Sequence, residues 1–251
     1  MKAIITDLDR TLLHTDKSIS EYTIKVMKEC QSKGIKLIAA TARPVRTVQQ
    51  FDELIGFDAL VVSNGARIIY NGTKEEFGFS DHDKKHVFGV LNSAPDLRIT
   101  LETGDEAYSN KPIEDYPTTI TNDLLNVSLK EGALKLIVSY DSEKALETVQ
   151  KAMTDDLYYS VANGHLIQIM SKAAAKWNGV KSILRILDID PAESVYFGDD
   201  NDDIEPIKNC GVGVAVSNAI DAVKEAADLI TVSNNDDGVA KFIEEYFLYK
   251  K

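Results

Sequence analysis

The sequence predicts an α/β fold, a doubly wound parallel sheet interrupted by an inserted α+β domain. Strand and helix patterns alternate over residues 1–80 and again over residues 174–251. Such alternation is typical of a parallel sheet covered by helices on both faces. Between these segments, over residues 81–173, the strands are separated by hairpin signals instead. We therefore expect one domain, formed by the two outer segments, with a second domain inserted at residues 81–173.

The first α/β segment contains three apolar runs of strand length and two helical patterns. Ser18 and Glu21 have the spacing of a capping box, and Gly34 ends the helix that follows. Asn71-Gly72 predicts a hairpin turn after residues 67–70. The predicted strands are residues 2–5, 36–40 and 59–62. The first predicted helix has an apolar face formed by Thr23, Val26, Met27 and Cys30, and the second predicted helix is residues 45–54.

The later segments follow the same logic. Asn163-Gly164 predicts a type I′ hairpin turn inside the inserted domain. The inserted domain has predicted strands at 97–101, 133–139, 158–161 and 166–170 and a helix at 142–153. The α/β pattern then resumes with strands at 195–197, 213–216 and 229–232 and helices at 219–226, 238–249 and along Val180, Ile183, Leu184 and Leu187.

Composition excludes several classes of partner. The net charge of −12 argues against nucleic acid and anionic membranes as default partners. The sequence has no apolar run near the ~20 residues of a membrane helix, and no signal peptide pattern precedes the first strand. Cys30 and Cys210 have apolar neighbours, which indicates reduced, partly buried thiols. We expect a cytoplasmic protein, either a monomer or a weak homodimer.

Polar side chains follow three of the predicted parallel strands. Asp7 and Asp9 come after the first strand, Thr41 after the second, and an acidic cluster that starts at Asp199 after strand 195–197. Lys176 begins the helix before that cluster. Ligands of open α/β sheets bind beyond the carboxyl ends of the strands, so these groups are expected to converge. Paired carboxylates need a cation or a shared proton, and oxygen ligands suit Mg²⁺. Such a set suits phosphoryl transfer.

The motifs resemble those of the haloacid dehalogenase (HAD) superfamily of phosphohydrolases, in particular its Cof-type branch, subfamily IIB, with a large α/β cap. Four ordered segments carry the resemblance, and further segments match this branch. The four are Asp7-Leu8-Asp9-Arg10-Thr11-Leu12, Ala40-Thr41-Ala42-Arg43-Pro44, Lys176 and Gly198-Asp199 through Asp203; the further ones are 62–66, 214–219, 228–231 and 237–239. The resemblance implies a Rossmann-like core at 1–80 and 174–251 and a cap at 81–173.

The resemblance also implies catalytic roles. Asp7 is expected to be the nucleophile that becomes phosphorylated, and a ligand of Mg²⁺. Asp9 is expected to protonate the leaving group, to activate water afterwards, and to bind Mg²⁺ through its backbone carbonyl. Thr41 and Lys176 are expected to hold the phosphoryl group. Asp199 is expected to be the main metal ligand of the acidic cluster.

The remaining site residues are expected to support this set. Asp203 and Asp202 are expected around the metal or Lys176, and Arg43 and Asn64 are candidates for substrate binding or for fixing a loop. The sequence departs from the family pattern at Arg10 and Ala42, where glycine is usual or common, and at Asp202, where asparagine is common. These departures affect loop stiffness, substrate geometry and charge near the metal, and remove no catalytic group.

The leading hypothesis is a Mg²⁺-dependent phosphatase for a small phosphorylated metabolite, such as a sugar phosphate, a nucleotide or a phosphorylated cofactor. A phosphotransferase or phosphomutase on the same scaffold is the alternative, in which a sugar hydroxyl replaces water. A phospho-accepting signalling domain also combines aspartates, a hydroxyl and a lysine on a parallel sheet. The inserted domain argues against this last reading, because a receiver domain is normally one continuous unit.

Overall fold

The computed structural model describes residues 1–113, 116–139, 142–162 and 165–248. Its strands are β1 (Ala3–Thr6), β2 (Lys36–Ala40), β3 (Ala59–Val62), β4 (Arg67–Tyr70), β5 (Thr73–Glu76), β6 (Ile99–Glu102), β7 (Ala107–Ser109), β8 (Thr119–Ile120), β9 (Lys135–Ser139), β10 (Leu157–Ala162), β11 (Leu166–Ser171), β12 (Ser194–Gly198), β13 (Val212–Val216) and β14 (Leu229–Thr231). Its helices are α1 (Glu21–Ser32), α2 (Val45–Ile55), α3 (Asp81–Leu91), α4 (Leu124–Glu131), α5 (Glu143–Ala152), α6 (Lys176–Ile186), α7 (Ile204–Asn209), α8 (Asp221–Ala226) and α9 (Gly238–Ile243).

The chain forms two compact units. Within the described ranges, the first unit comprises the chain up to Arg43, residues 47–75, and the chain from Lys176 onward. The second comprises residues 44–46 and 76–175. Each unit has its own sheet.

The sheet of the first unit has the strand order β14-β13-β12-β1-β2-β3-β4-β5. The strands from β14 to β3 are parallel, and β4 pairs antiparallel with β3. At the centre, Thr6 of β1 lies opposite Phe197 of β12 and Ala39 of β2. Since β1 and β12 are buried along their whole length, they read in the sequence as uninterrupted apolar runs. The predicted parallel α/β sheet is confirmed.

A local signal marks the start of α1 in this unit. The cap of α1 is Ser20, whose hydroxyl accepts a hydrogen bond from the Thr23 backbone N–H at 3.0 Å, and not Ser18 as the predicted capping box had it. The predicted apolar face of α1 is buried as expected. The predicted last helix is shorter: α9 ends at Ile243, residues 244–248 form a π-helical turn, and residue 249 lies outside the described residues. Cys30 and Cys210 are both buried free thiols, as predicted.

The second unit is an α+β structure with the strand order β10-β11-β9-β6-β7-β8. Its apolar core joins the sheet to α3, α4 and α5 through residues such as Phe88, Leu101, Leu136 and Val149. Helices α3 and α4 were absent from the sequence prediction. Their capping residues, Ser80 and Asp123, precede short segments in which polar or charged residues interrupt the apolar pattern. The predicted turn at Asn163-Gly164 lies outside the described residues.

Hydropathy gives no sign of a membrane segment in the described ranges. None of the helices there combines the length and the apolar content that crossing a bilayer requires.

Candidate active site

Strand β1 delivers Asp7 to the carboxyl edge of the sheet. The Asp7 backbone N–H donates to the carbonyl of Phe197 at 2.9 Å, so the pairing of β1 with β12 continues one residue beyond the strand. This bond fixes the backbone of Asp7 between the buried central strands. The side chain of Asp7 is only 8% exposed, which places a carboxylate in a largely dry environment.

Lys176 is the buried cation of the site. Its Nζ lies 2.6 Å from Asp203 Oδ1 and 3.2 Å from Asp7 Oδ1. It also lies 3.2 Å from Asp202 Oδ1, and its side chain is 1% exposed. Burial acts to lower the pKa of Lys176, but Asp202, Asp203 and Asp7 raise it well above its usual value. The lysine is therefore a fixed positive charge beside the Asp7 carboxylate.

Burial is also the largest influence on Asp7. It raises the pKa of Asp7 well above its usual value, Lys176 acts in the opposite direction, and Asp203, Asp202 and Asp199 raise it further. One ammonium thus faces several carboxylates in a low-dielectric site. Such an arrangement favours a bound divalent cation or retained protons.

Asp203 organises the loop after β12. Its Oδ1 accepts a hydrogen bond from the Tyr196 hydroxyl at 2.6 Å as well as the one from Lys176. Its Oδ2 accepts from the backbone N–H groups of Asp199 at 2.9 Å and Asp200 at 3.1 Å. The loop folds so tightly that a Cβ on Gly198 would lie 2.4 Å from the Asp203 Cβ. Both carboxylate oxygens of Asp203 are therefore engaged in hydrogen bonds that shape this loop. Glycine is required at position 198 because a side chain there would collide with Asp203.

Asp199 lies at the front of the same loop. The Thr11 hydroxyl donates to its Oδ1 at 2.9 Å, and Arg10 Nε lies 3.9 Å from its Oδ2. Burial, and then the neighbouring Asp203 carboxylate, raise the pKa of Asp199 to about 6, against the influence of Thr11 and Arg10.

Asp9 lies in a different environment, although it follows Asp7 by only two residues. Arg43 chelates it: Nε lies 2.6 Å from Oδ2 and Nη2 lies 2.6 Å from Oδ1. The Asp9 side chain is 44% exposed. The guanidinium also lies over the ring of Phe51, 5.2 Å from its centroid, and donates to the carbonyl of Thr47 at 3.3 Å.

Thr41 and Asn64 lie at the ends of β2 and β3. Thr41 is buried, and its Oγ1 accepts a bond from the Arg43 backbone N–H at 3.3 Å. Asn64 has a left-handed backbone, its N–H donates to the Thr41 carbonyl at 3.1 Å, and its Nδ2 donates to Asp202 Oδ2 at 2.8 Å. Asn64 thereby links this edge of the site to the acidic loop.

The donor set fits a hard divalent cation. Asp7, Asp199 and Asp203 each place one carboxylate oxygen within 4.8 Å of the other two. Since Asp203 already uses both oxygens as a support, Asp7 and Asp199 are the better candidates for direct ligands. Oxygen ligands of this kind suit Mg²⁺. The Asp9 side chain is not part of this cluster, and the predicted role of its backbone carbonyl stays a prediction.

The structure thus brings together Asp7, Lys176, Asp199, Asp202 and Asp203, and it sets Asp9 apart with Arg43. Sequence reasoning missed two supporting residues. Thr11 stood within the first motif without a role, and Tyr196 read only as an apolar strand residue. Because β12 is buried on both faces, its sequence does not alternate between apolar and polar residues. Nothing in the pattern therefore marked the Tyr196 hydroxyl as functional.

Comparison with known proteins identifies the family. The model of the haloacid dehalogenase-like hydrolases matches residues 4–243. The chain belongs to this family. Among curated relatives, one similar protein is the 5-amino-6-(5-phospho-D-ribitylamino)uracil phosphatase YitU of Bacillus subtilis (strain 168). The two sequences are 26% identical in an alignment 267 residues long, gaps included, which covers 97% of each chain. The predicted family is confirmed, and the prediction of a phosphatase enzyme is confirmed at the level of the family.

Solved structures show the same fold. A haloacid dehalogenase-like hydrolase from Bacteroides thetaiotaomicron has a TM-score of 0.88 at 23% identity, with 98% of this chain and 99% of that chain covered. A sugar phosphatase of HAD subclass IIB has a TM-score of 0.82 at 19% identity, with 99% of this chain and 100% of that chain covered. These likenesses confirm the predicted fold class.

Proposed function

We propose that this chain is a Mg²⁺-dependent phosphatase that hydrolyses a small phosphorylated metabolite through an aspartyl phosphate, an acyl phosphate formed on Asp7. The observation that carries the proposal is the buried Lys176, which contacts both Asp7 and Asp203 at the edge of the sheet where Asp199 also lies. A buried carboxylate held beside a fixed ammonium suits nucleophilic attack on a phosphate, whose negative charge must be neutralised.

The first step forms a bond from an Asp7 carboxylate oxygen to phosphorus. The bond from phosphorus to the ester oxygen breaks, and Asp9 donates a proton to the departing alkoxide. Lys176 and the Thr41 hydroxyl bind the phosphoryl oxygens, where charge lies in the transition state. A bound Mg²⁺ supplies charge neutralisation between the carboxylates and the phosphate dianion.

The second step returns the enzyme to its starting state. Water attacks phosphorus while Asp9 takes its proton, and the bond from phosphorus to the Asp7 oxygen breaks. Inorganic phosphate leaves, and Asp7 is again a carboxylate. Asp9 gives up one proton in the first step and regains one from water in the second, so its protonation state is restored.

Arg43 sets a condition on this cycle. In the bidentate pair, Asp9 accepts two hydrogen bonds and donates none. To act as an acid, Asp9 has to leave Arg43, and an incoming phosphate is a competing partner for that guanidinium. We therefore propose that Arg43 exchanges Asp9 for the substrate, in accord with its predicted substrate-binding role. Asn64 contributes through Asp202, whose carboxylate it positions toward Lys176.

The substrate class is a small phosphorylated metabolite: a sugar phosphate, a nucleotide or a phosphorylated cofactor. The name of YitU specifies a phosphorylated ribitylamino-uracil, and the structural neighbour of subclass IIB is a sugar phosphatase. Both names lie within this class, and they set the first compounds to test.

The test is phosphate release from a panel of phosphorylated metabolites, with and without Mg²⁺. Asp7→Asn is compared with wild type, and Asp221→Asn is the matched control, since the Asp221 side chain is 97% exposed on α8. We expect Mg²⁺-dependent turnover by wild type and the control, and a loss of roughly 10⁴-fold or more in Asp7→Asn. Turnover that persists in Asp7→Asn contradicts the proposed nucleophile.

Isotope labelling tests which atom water attacks in the second step, and product analysis tests what accepts the phosphoryl group. In a single turnover in ¹⁸O-water, attack of water on phosphorus places the label in the released phosphate and leaves Asp7 unlabelled. Transfer to an added sugar hydroxyl in preference to water would replace the hydrolase with a phosphotransferase. Stable phosphorylation of Asp7 without turnover would favour a signalling domain.

A further inference from the structure

The segment between β13 and α8, residues 217–220, takes no part in the proposed chemistry. It nevertheless contacts both loops that supply the acidic residues. The Asn218 Nδ2 donates to the carbonyl of Arg10 at 2.8 Å, and two residues later the Ile220 N–H donates to the carbonyl of Asp199 at 3.0 Å. The segment therefore joins the loop after β1 to the loop after β12.

Asn218 is itself held in place by the chain that follows β14. Its Oδ1 accepts a hydrogen bond from the Asn234 backbone N–H at 2.9 Å. The Asn234 side chain then donates to the carbonyl of Leu13 at 2.9 Å, and Asn234 is 2% exposed. Two asparagine side chains thus donate hydrogen bonds to the carbonyls of Arg10 and Leu13, which lie before and after Thr11 in the chain.

The turn that they bind has an unfavourable backbone. Arg10 adopts φ 60 and ψ 9, in the left-handed region. This conformation is unfavourable for a residue with a Cβ, so contacts from the surrounding structure must hold it. The bond from Asn218 acts on the carbonyl of Arg10 itself.

This turn presents Thr11 to Asp199. The Thr11 hydroxyl donates to Asp199 Oδ1 at 2.9 Å and thereby sets the rotation of the carboxylate. A shift of the Arg10 carbonyl is passed to Thr11 directly, because the two residues are adjacent. Groups that orient a metal ligand in this way affect metal affinity without touching the ion.

We propose that Asn218 is a positioning residue for the metal site: it fixes the turn at Arg10 so that Thr11 holds the Asp199 carboxylate toward the cation. This inference rests on the proposed function only in taking Asp199 as a metal ligand. It assigns a role to Asn218, which lies in the segment 214–219 that matches the family branch.

The test measures Mn²⁺ affinity by electron paramagnetic resonance, without turnover. The variants are Asn218→Ala, Thr11→Val and the double variant, with thermal unfolding as a check of folding. Asn209→Ala is the matched control, because the exposed Asn209, at the end of α7, also donates through its Nδ2 to a backbone carbonyl, that of Glu205 at 2.7 Å. Asn218→Asp is the milder variant if Asn218→Ala fails to fold, since it keeps an acceptor for the Asn234 N–H.

We expect Asn218→Ala to weaken Mn²⁺ binding about 3-fold to 10-fold and Thr11→Val about 10-fold, with Asn209→Ala unchanged. In the Thr11→Val background, Asn218→Ala should have no further effect on affinity, because both act on Asp199 through one contact. Wild-type affinity in a folded Asn218→Ala, or independent effects of the two substitutions, overturns the inference. If the expected binding changes occur but no phosphorylated metabolite is hydrolysed, the proposed function fails and the positioning role stands.

Discussion

Asp7 and Asp9 are identical side chains two residues apart, yet they occupy opposite environments. The Asp7 side chain is 8% exposed and touches the buried Lys176, whose own side chain is 1% exposed. The Asp9 side chain is 44% exposed and is chelated by Arg43. Asp7 is held among fixed charges, whereas Asp9 has one partner that a ligand can reach.

The backbone explains the divergence. Asp7 is still paired with β12 through its N–H, but Asp9 has φ −67 and ψ 124, and Arg10 turns into the left-handed region. The chain leaves the sheet between the two aspartates. A fixed, buried carboxylate suits a nucleophile, and a carboxylate with an exchangeable partner suits a residue that must carry a proton in both directions. The two expected roles are therefore separated by burial and by hydrogen-bond partners rather than by residue type.

Of the three effects that follow from this comparison, the largest should come from Asp9→Asn. We expect kcat to fall about 10²-fold to 10⁴-fold on substrates with an alkyl leaving group, because asparagine supplies no proton. With p-nitrophenyl phosphate, whose leaving group needs no protonation, the loss in formation of the phosphorylated enzyme should be much smaller. Pre-steady-state kinetics measures that step separately. Equal losses on both substrates would mean that Asp9 acts by positioning rather than as an acid.

A second contrast concerns the two basic residues, Lys176 and Arg43. Lys176→Met should lower the free energy of unfolding by about 3–5 kcal/mol, because it leaves Asp7 and Asp203 buried without their partner. Arg43→Gln should lower it by about 1 kcal/mol or less, since its pair with Asp9 is partly exposed to water. Urea unfolding of both variants without divalent cations measures the difference. Similar losses for the two variants would contradict the distinction between a fixed and an exchangeable pair.

The smallest effect concerns pH and Mg²⁺. The pKa of Asp199 is raised to about 6, so the folded protein holds this proton more tightly than the unfolded chain does. In the absence of cations, the contribution of Asp199 to stability therefore falls as the pH rises from about 4 through about 6, and is constant above. Because Mg²⁺ binds the carboxylate, its affinity at about pH 5 should be roughly tenfold lower than at about pH 7.5.

Isothermal titration with Mg²⁺ at the two pH values checks this prediction. Asp199→Asn provides the control, since it should bind Mg²⁺ weakly and lose the part of the pH dependence that comes from Asp199. A wild-type affinity that is equal at both pH values would show that the Asp199 proton is not displaced by the cation.

Much of the fold could be read from the sequence, and particular elements show why. Strands β1, β2, β3 and β12 are buried apolar runs, and α1 carries its cap and apolar face within a few residues. These signals are local, so the parallel sheet follows from them. Helices α3 and α4 were missed because the apolar core that stabilises them comes from other elements of the second unit. Helix propensity alone is a weak signal in such short segments.

The sequence by itself determined which groups reach the carboxyl edge of the sheet, because strand ends and motif order are properties of the chain. It also sufficed for the family. Only the tertiary structure decided which partner each group takes: Arg43 with Asp9 across 34 residues, and Thr11 with Asp199 across 188. Such pairs depend on where turns leave the sheet and on which side chains share a dry space. Neither is encoded in the local pattern on which sequence reasoning relies.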